Sequence, residues 1–549
     1  MVSPELLGEL RQLIHARRVT AGIQLIEQHR RNFDGIGPAM PCAGRAAGYL
    51  AQWVDLGFED EELLLRLLAR FPKSTRQSLP LGDYAHLRMA EAVVAMRHGD
   101  LQDAERHVDT ALAISDEADD PVIVAVANLW KARCLRKAGE YDRALQIAQR
   151  AREIANQIGL KYLAAVIQTL ESWLYFQKGK TKQALGILQE AEAVLRETDD
   201  FIALGNIQST YGRIATREGR YDHALQYFEN SIESFKQHRS LERYLARSLT
   251  NMAQAKRFLA VQLRRSIDAK RERLRSRAGD GKSPFVDKAG ELDRMHDLLR
   301  TAQQDLAQAG EIYRRTDDHH GGGNVDVNLA QIHLDLGNLD TAEELVVEAF
   351  DLGSSKTDHL LMCRARVVQA MIANARYEEQ IGEGDEQTRF AQVAHDCAKE
   401  AVDLAERTES RRLRAQAHIC QGMTLVNGFF HETDAARDCC DRAEAQLDYD
   451  RHDALWEEIE ILRARVLHAG IEDPNLRAWS QGAVGDKTLQ QVVGDFEELL
   501  IRRVWEREGR KVSRVARKLS VSPKKVRRVL RHVGLLAAGS PDDDNDVDT

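Results

Sequence analysis

Ala132-Arg133-Cys134-Leu135-Arg136-Lys137-Ala138-Gly139-Glu140-Tyr141-Asp142-Arg143-Ala144-Leu145-Gln146-Ile147-Ala148-Gln149-Arg150-Ala151 carries the period on which most of the chain is built. Ala132 precedes Gly139 by seven positions, and Ala144 and Ala151 follow it by five and twelve. The spacing recurs around Gly99, Gly179 and Gly219, forty residues apart, and around Gly337 after an insertion. Seven before the other glycines stand Ala92, Ser172, Gly212 and Ala330; five after stand Ala104, Ala184, Ala224 and Ala342. Twelve after stand Ala111, Ala191, Ser231 and Ala349. The position nine after is apolar in every unit: Val108, Ala148, Leu188, Phe228, Val346. This spacing predicts a helix, a glycine turn and a second helix, with small residues where helices approach closely. A single unit cannot bury its apolar stripe, so the units must stack.

Weaker units follow, marked by Ala302/Ala309, Ala394/Ala401 and Ala436/Ala443, to about Leu467. About eight units are expected over residues 81–468, after divergent helical pairs in 1–80. The pattern small-x6-Gly-x-(Tyr/Leu)-x2-Ala-x6-Ala, clearest in Arg133–Ala151 and Arg213–Ser231, resembles the tetratricopeptide repeat in its forty-residue form. The resemblance implies an α-solenoid whose first helices line a concave surface. Positions six and two before the turn glycine would face it: Val93/Arg97, Arg133/Lys137, Trp173/Gln177 and Arg213/Arg217. Arg97, Arg133, Lys137, Trp173, Arg213 and Arg217 then form a basic groove with one aromatic, suited to an acidic peptide or protein segment. An ordinary charged helix surface has the same composition.

Composition agrees with an all-α protein. Of 549 residues 43% are apolar and 30% charged; aromatics make only 6%, and there are ten prolines. The chain is long enough for several domains. No run of about 18 apolar residues occurs, so no membrane span is expected. Met1-Val2-Ser3-Pro4-Glu5 lacks the shape of a signal peptide. The seven cysteines form no C-x-x-C pair, so neither a zinc site nor a disulfide framework is expected, and a cytoplasmic location is. Gly281-Lys282-Ser283 lacks the earlier glycine of a phosphate loop, because position 276 is Ser. His320-Gly321-Gly322-Gly323 has no G-x-S-x-G partner, and His319-His320 reads as a flexible inter-helix loop. His431-Glu432 lacks the second His of a zinc helix. These readings give no enzyme and no cofactor.

Two segments interrupt the repeats: 262–290, opening with a basic helix (Arg264 to Arg277), and the loop Gly382-Glu383-Gly384-Asp385. Residues 469–486, with Gly470, Pro474, Gly482 and Gly485, read as a linker, and 537–549 as an acidic disordered tail.

Between linker and tail lies a basic module. Arg502 to His532 holds thirteen Lys and Arg against two Glu, although the whole chain carries −9. Such a basic patch is the footprint of phosphate contact. Val512 to Leu519 reads as a short helix, Ser520-Val521-Ser522 as a turn, and Pro523 as the first residue of another helix with Ser522 at its N-cap. Val526, Val529, Leu530 and Val533 share one face of it; Lys524, Arg527, Arg528 and Arg531 share another. Gly534 is placed to end it.

Phe496-Glu497, Leu500-Ile501, Gly509, Ser513-Arg514, Ala516, Leu519, Val521, Val526, Leu530 and Gly534-Leu535 fall in register with the Fis-type helix-turn-helix, which residues 487–536 resemble. Ser520 replaces the usual turn glycine, and Arg510-Lys511 a Gly-Asn pair. Pro523 stands where the family often has an Arg that reaches DNA, so base preference does not carry over. The resemblance implies duplex DNA as partner, contacted by Lys511, Ser513, Arg514, Ser522, Lys524, Lys525, Arg527, Arg528 and Arg531. It also implies pairing of two copies through residues 487–507, where Leu489, Val492, Val493, Phe496, Leu500, Ile501 and Val504 give an apolar stripe. The expected protein is a bacterial-type transcriptional regulator whose solenoid receives a protein or peptide signal. The alternative is an interaction scaffold whose terminal helices serve assembly.

Overall fold

The computed structural model describes residues 2–118, 120–236, 241–278, 290–379, 384–447, 451–469, 479 and 484–536. The end of the 262–290 insertion, part of the 382–385 loop, most of the 469–486 linker and the 537–549 tail lie outside the described residues. Among the described residues the regular structure is helical, with no strand. The chain divides into two compact units, Met1–Arg463 and Ala464–Thr549.

The first unit opens with α1 (Pro4–Ala16), α2 (Val19–Gln28), α3 (Arg30–Asp34), α4 (Ala43–Asp55), α5 (Glu61–Ala69) and α6 (Lys73–Arg76). Eight packed helix pairs follow: α7/α8 (Leu81–His98, Leu101–Ala118), α9/α10 (Pro121–Ala138, Tyr141–Gln157), α11/α12 (Lys161–Gln177, Thr181–Leu195) and α13/α14 (Phe201–Arg217, Tyr221–Lys236) come first. Next are α15/α16 (Glu242–Ala278, Glu291–Arg315), α17/α18 (His319–Asp335, Leu339–Ser355), α19/α20 (His359–Glu378, Asp385–Glu406) and α21/α22 (Arg411–Leu425, Thr433–Leu447). α23 (Leu455–Ala469) follows them.

The repeat residues explain the pairs. Gly99, Gly139, Gly179, Gly219 and Gly337 all have φ between 72° and 85°, the left-handed conformation that ends one helix and turns into the next. The alanines five and twelve residues later are fully buried, as are Ala302, Ala309, Ala394, Ala401, Ala436 and Ala443. The first helices α9, α13, α17, α19 and α21 start on side-chain caps. Asp120, Asp200, Asp318, Asp358 and Ser410 each accept a hydrogen bond from a backbone N–H in the first turn.

Two expectations need correction. The basic stretch after residue 262 is no separate helix; it continues α15, a helix of 37 residues, and the pair is lengthened rather than interrupted. Lys270 pairs with Glu291 at the start of α16 at 2.7 Å. His319 to Gly323 is no loop but the first turn of α17. Two of its glycines are points of contact: a Cβ at Gly321 would stand 2.3 Å from the Tyr313 ring, and one at Gly323 2.4 Å from Leu361. Burial against neighbouring helices keeps a glycine-rich turn helical despite poor intrinsic propensity.

The stack winds back on itself. Gly99 at the end of α7 lies against His319 of α17, and Gly139 at the end of α9 against Leu360 of α19. The backbone N–H of Ala454, just before α23, donates to the carbonyl of Arg217 at the end of α13 at 2.7 Å. Each contact joins helices five pairs apart, so successive superhelical turns touch. The N-terminal helices are tied in as well: Arg17 pairs with Asp200 at 3.2 Å, and the N–H groups of Val19 and Thr20 at the start of α2 donate to Asp199.

The second unit holds α24 (Leu489–Arg507), α25 (Val512–Leu519) and α26 (Pro523–His532). A capping box between Thr488 and Gln491 starts α24. Ile501, Trp505, Val515, Ala516, Val526, Val529 and Leu530 form its core. Val533, expected on the core face, is only half-buried and caps α26.

Candidate ligand groove and candidate nucleic-acid interface

The six groove residues divide by partner. Arg97 on α7 pairs with Glu61 at 2.6 Å. Arg133 on α9 pairs with Asp55 at 2.6 Å, an oxygen that also accepts from Trp130 Nε1. Arg217 on α13, only 6% exposed, donates to the Phe176 carbonyl and faces Asp453 at 3.6 Å. These three are spent on contacts within the chain. Lys137 is exposed, its Nζ 3.5 Å from the Met96 carbonyl. Trp173 and Arg213 are brought together, the guanidinium lying over the indole at 5.3 Å.

Arg136 joins them and was not among the expected residues. It stands three before the turn glycine, off the spacing used, but one helical turn from Arg133, and that i,i+3 relation was the available signal. Its guanidinium lies over Trp173 at 4.9 Å. The Tyr141 ring meets Trp173 edge-on, centroids 5.5 Å apart. Burial, with Arg247 and Arg133 nearby, pulls Arg136 down to about 10. Burial, with Arg247, Arg217 and Arg136, pulls Arg213 down to about 9. Both stay charged at neutral pH, in a field of like sign.

In the second unit, Lys511 is the N-cap of α25, and Ser513 and Arg514 stand in its first turn, all exposed. Ser522 caps α26, its hydroxyl accepting from Lys525 N–H at 3.3 Å. Lys524, Arg528 and Arg531 are exposed, Arg527 is half-exposed, and Lys525 pairs with Glu497 at 2.5 Å. Arg514, Lys524, Arg528 and Arg531 make no ion pair with a described residue. The turn residue Ser520 adopts φ 53°, ψ 40°, and Arg510 φ 61°. Both departures from glycine are thus accommodated in left-handed backbone.

Among the described residues no helix is long and apolar enough to cross a membrane. Among them no group of three His, Cys, Asp or Glu is placed to hold a metal ion.

A family model for the tetratricopeptide repeat matches residues 123–197. No curated protein matches. Similar solved structures include the apo form of the quorum sensor NprR from B. thuringiensis, 13% identical, covering 72% of this chain and 97% of that one, with a TM-score of 0.47. A Rap protein complexed with competence and sporulation factor is 12% identical, covering 84% and 98%, TM-score 0.43. A human IFIT1 dimer with m7Gppp-AAAA is 12% identical, covering 74% and 90%, TM-score 0.38. Residues 123–197 match the tetratricopeptide repeat, and packed helix pairs continue on both sides of them.

Proposed function

We propose that the chain is a cytoplasmic, non-enzymatic transcriptional regulator whose solenoid groove receives a protein or peptide ligand and whose Fis-type helix-turn-helix, residues 487–536, binds duplex DNA. The supporting observation is the division of α26. Val526, Val529 and Leu530 are buried, while Lys524, Arg528 and Arg531 project to solvent without an acidic partner among the described residues. A short helix anchored by one face and cationic on another suits entry into a major groove, with its first turns at the base edges. Lys511, Ser513 and Arg514 start the preceding helix, where free N–H groups meet phosphate. The full chain is expected to bind duplex DNA and to weaken steeply from about 50 to 200 mM salt. Arg528→Ala should flatten the preference for a selected site over a scrambled one; Arg514→Ala should weaken both alike. Absence of binding at low salt sinks the reading.

A second reading rests on α24. Leu489, Val493, Phe496 and Leu500 are 80%, 48%, 44% and 37% exposed, an apolar stripe of the kind that a partner covers. Within the regulator, a second copy covers it and presents two recognition helices about 34 Å apart. In the scaffold reading, assembly is the whole role. Phe496→Glu should convert a dimer to a monomer in sedimentation; loss of DNA binding along with it supports the regulator, and self-association without DNA binding supports the scaffold.

A further inference from the structure

We propose that Arg136 and Arg213, gathered around Trp173 on the first helices of successive repeats, form with nearby Arg247 an anion site that takes the carboxylates of an acidic peptide. The inference rests on the reading of the groove as a peptide receptor and names the ligand chemistry and the residues that read it.

The contrast with neighbouring arginines carries the argument. Arg97, Arg133 and Arg217 each face a carboxylate, and so do Arg257, 2.5 Å from Asp335, and Arg412, 3.0 Å from Asp453. These five hold the superhelix together. Arg136 and Arg213 face none among the described residues; their contacts are the faces of Trp173 and Phe176. Among the described residues Arg247 bonds only the neutral amide oxygen of Asn206, and it lies over the Tyr244 ring. Gathering partly buried cations without a counter-charge costs stability and is not how a fold secures an arginine.

The buried polar atoms left unpartnered beside these rings share one sign. Arg136 Nε, Trp173 Nε1 and, one helical turn on, Gln177 Nε2 are buried and find no hydrogen-bond partner among the described residues. All three are donors, which calls for a ligand that is only an acceptor. A planar guanidinium held by an aromatic ring is pre-oriented for the two oxygens of a carboxylate. Phosphate would also satisfy the donors. A nucleic acid would need an aromatic platform for its bases, and Trp173 is already engaged by two guanidinium groups and Tyr141. The geometry therefore favours a peptide.

The test is calorimetric titration of the full chain with hexa-glutamate peptide, with hexa-glutamine as control and a 5′-phosphorylated single-stranded oligonucleotide as the phosphate arm. Wild type is expected to bind hexa-glutamate and not hexa-glutamine. Arg136→Gln/Arg213→Gln should weaken binding about thirtyfold or more. Its melting temperature should be unchanged or higher, since two uncompensated charges are gone. Arg213→Lys, which keeps the charge but loses the fork, should fall between wild type and Arg213→Gln. A lower melting temperature in the double variant would mean that these arginines are structural and overturns the site. Peptide binding insensitive to the substitutions, as when the basic terminal unit holds it, overturns the site but leaves a peptide-receiving solenoid standing. No binding of hexa-glutamate overturns the carboxylate assignment. Tighter, arginine-dependent binding of the oligonucleotide overturns both the peptide assignment and the peptide reading of the groove.

Discussion

At Gly212 the repeat departs from its own rule for a reason visible across the helix pair. Other units place Ala or Ser there, and Val, Ala or Leu at the position nine after the turn. This unit places Phe228 at that position, and a Cβ on residue 212 would stand 2.7 Å from its ring. Gly212→Ala should overpack the α13/α14 interface and cost about 1–3 kcal/mol. Phe228→Leu added to it should restore part of that in thermal unfolding; no coupling between the two would show that the ring yields freely. Ser520 presents the opposite case, a side chain in backbone suited to glycine. Left-handed backbone costs a non-glycine residue roughly 1–2 kcal/mol. Glycine gives back about 0.5–1 kcal/mol of that in chain entropy. Ser520→Gly should therefore stabilise the terminal unit by about 0.5–1 kcal/mol, read as slower amide exchange in α25 and α26. Unchanged or faster exchange would mean that the serine is held by more than its backbone.

Between elements, α4 and α7 pack closely enough to fix the titration of one side chain. Gly44 and Gly48 let the helices approach; a Cβ on Gly48 would stand 2.5 Å from the His86 ring. His86 is buried, with the Tyr49 ring edge-on at 5.1 Å. Burial pushes its imidazole down to about 4, although Asp120 and Asp83 pull the other way and Arg45 and Arg11 add to the fall. Above its ordinary value of 6.5 the group is neutral folded and unfolded, and pH has no hold on it. As pH falls below that value, the unfolded chain takes up the proton first and stability declines, by about 3 kcal/mol once pH reaches 4. His86→Gln removes this slope. The loss of melting temperature between pH 7 and about 4.5 should be smaller in the variant; an equal loss would show that other groups drive acid unfolding.

For the solenoid unit as a whole, closure between superhelical turns is the decisive feature. Asp453 is buried before α23, accepts from Arg412 at 3.0 Å and faces Arg217 on α13 at 3.6 Å. One carboxylate thus serves two turns. Asp453→Asn leaves buried Arg217 without its counter-charge and should cost about 3–5 kcal/mol. The damage should spread beyond the site, with amide exchange rising in both α13 and α23; protection lost in α23 alone would mean that the turns are held elsewhere.

The period of small residues and turn glycines determined the helix pairs by itself. Each Ala at a fixed offset is a local steric requirement of one pair, and each glycine a local backbone requirement, so both are written in linear spacing. In the terminal unit the Ser522-Pro523 start and the apolar face of α26 were legible for the same reason. Trp505 was left out of the expected stripe, and Ile501 and Val504, which were in it, pack with Trp505 into the core made with α25 and α26 rather than toward a second copy. The groove was only half legible. Spacing predicted which side chains face inward, but an arginine with a carboxylate and one without look alike in sequence. The carboxylates that neutralise Arg133 and Arg217 come from residues 78 and 236 positions away, Asp55 and Asp453. Only the winding of the superhelix brings those charges to their partners, and only that winding leaves Arg136 and Arg213 without any among the described residues.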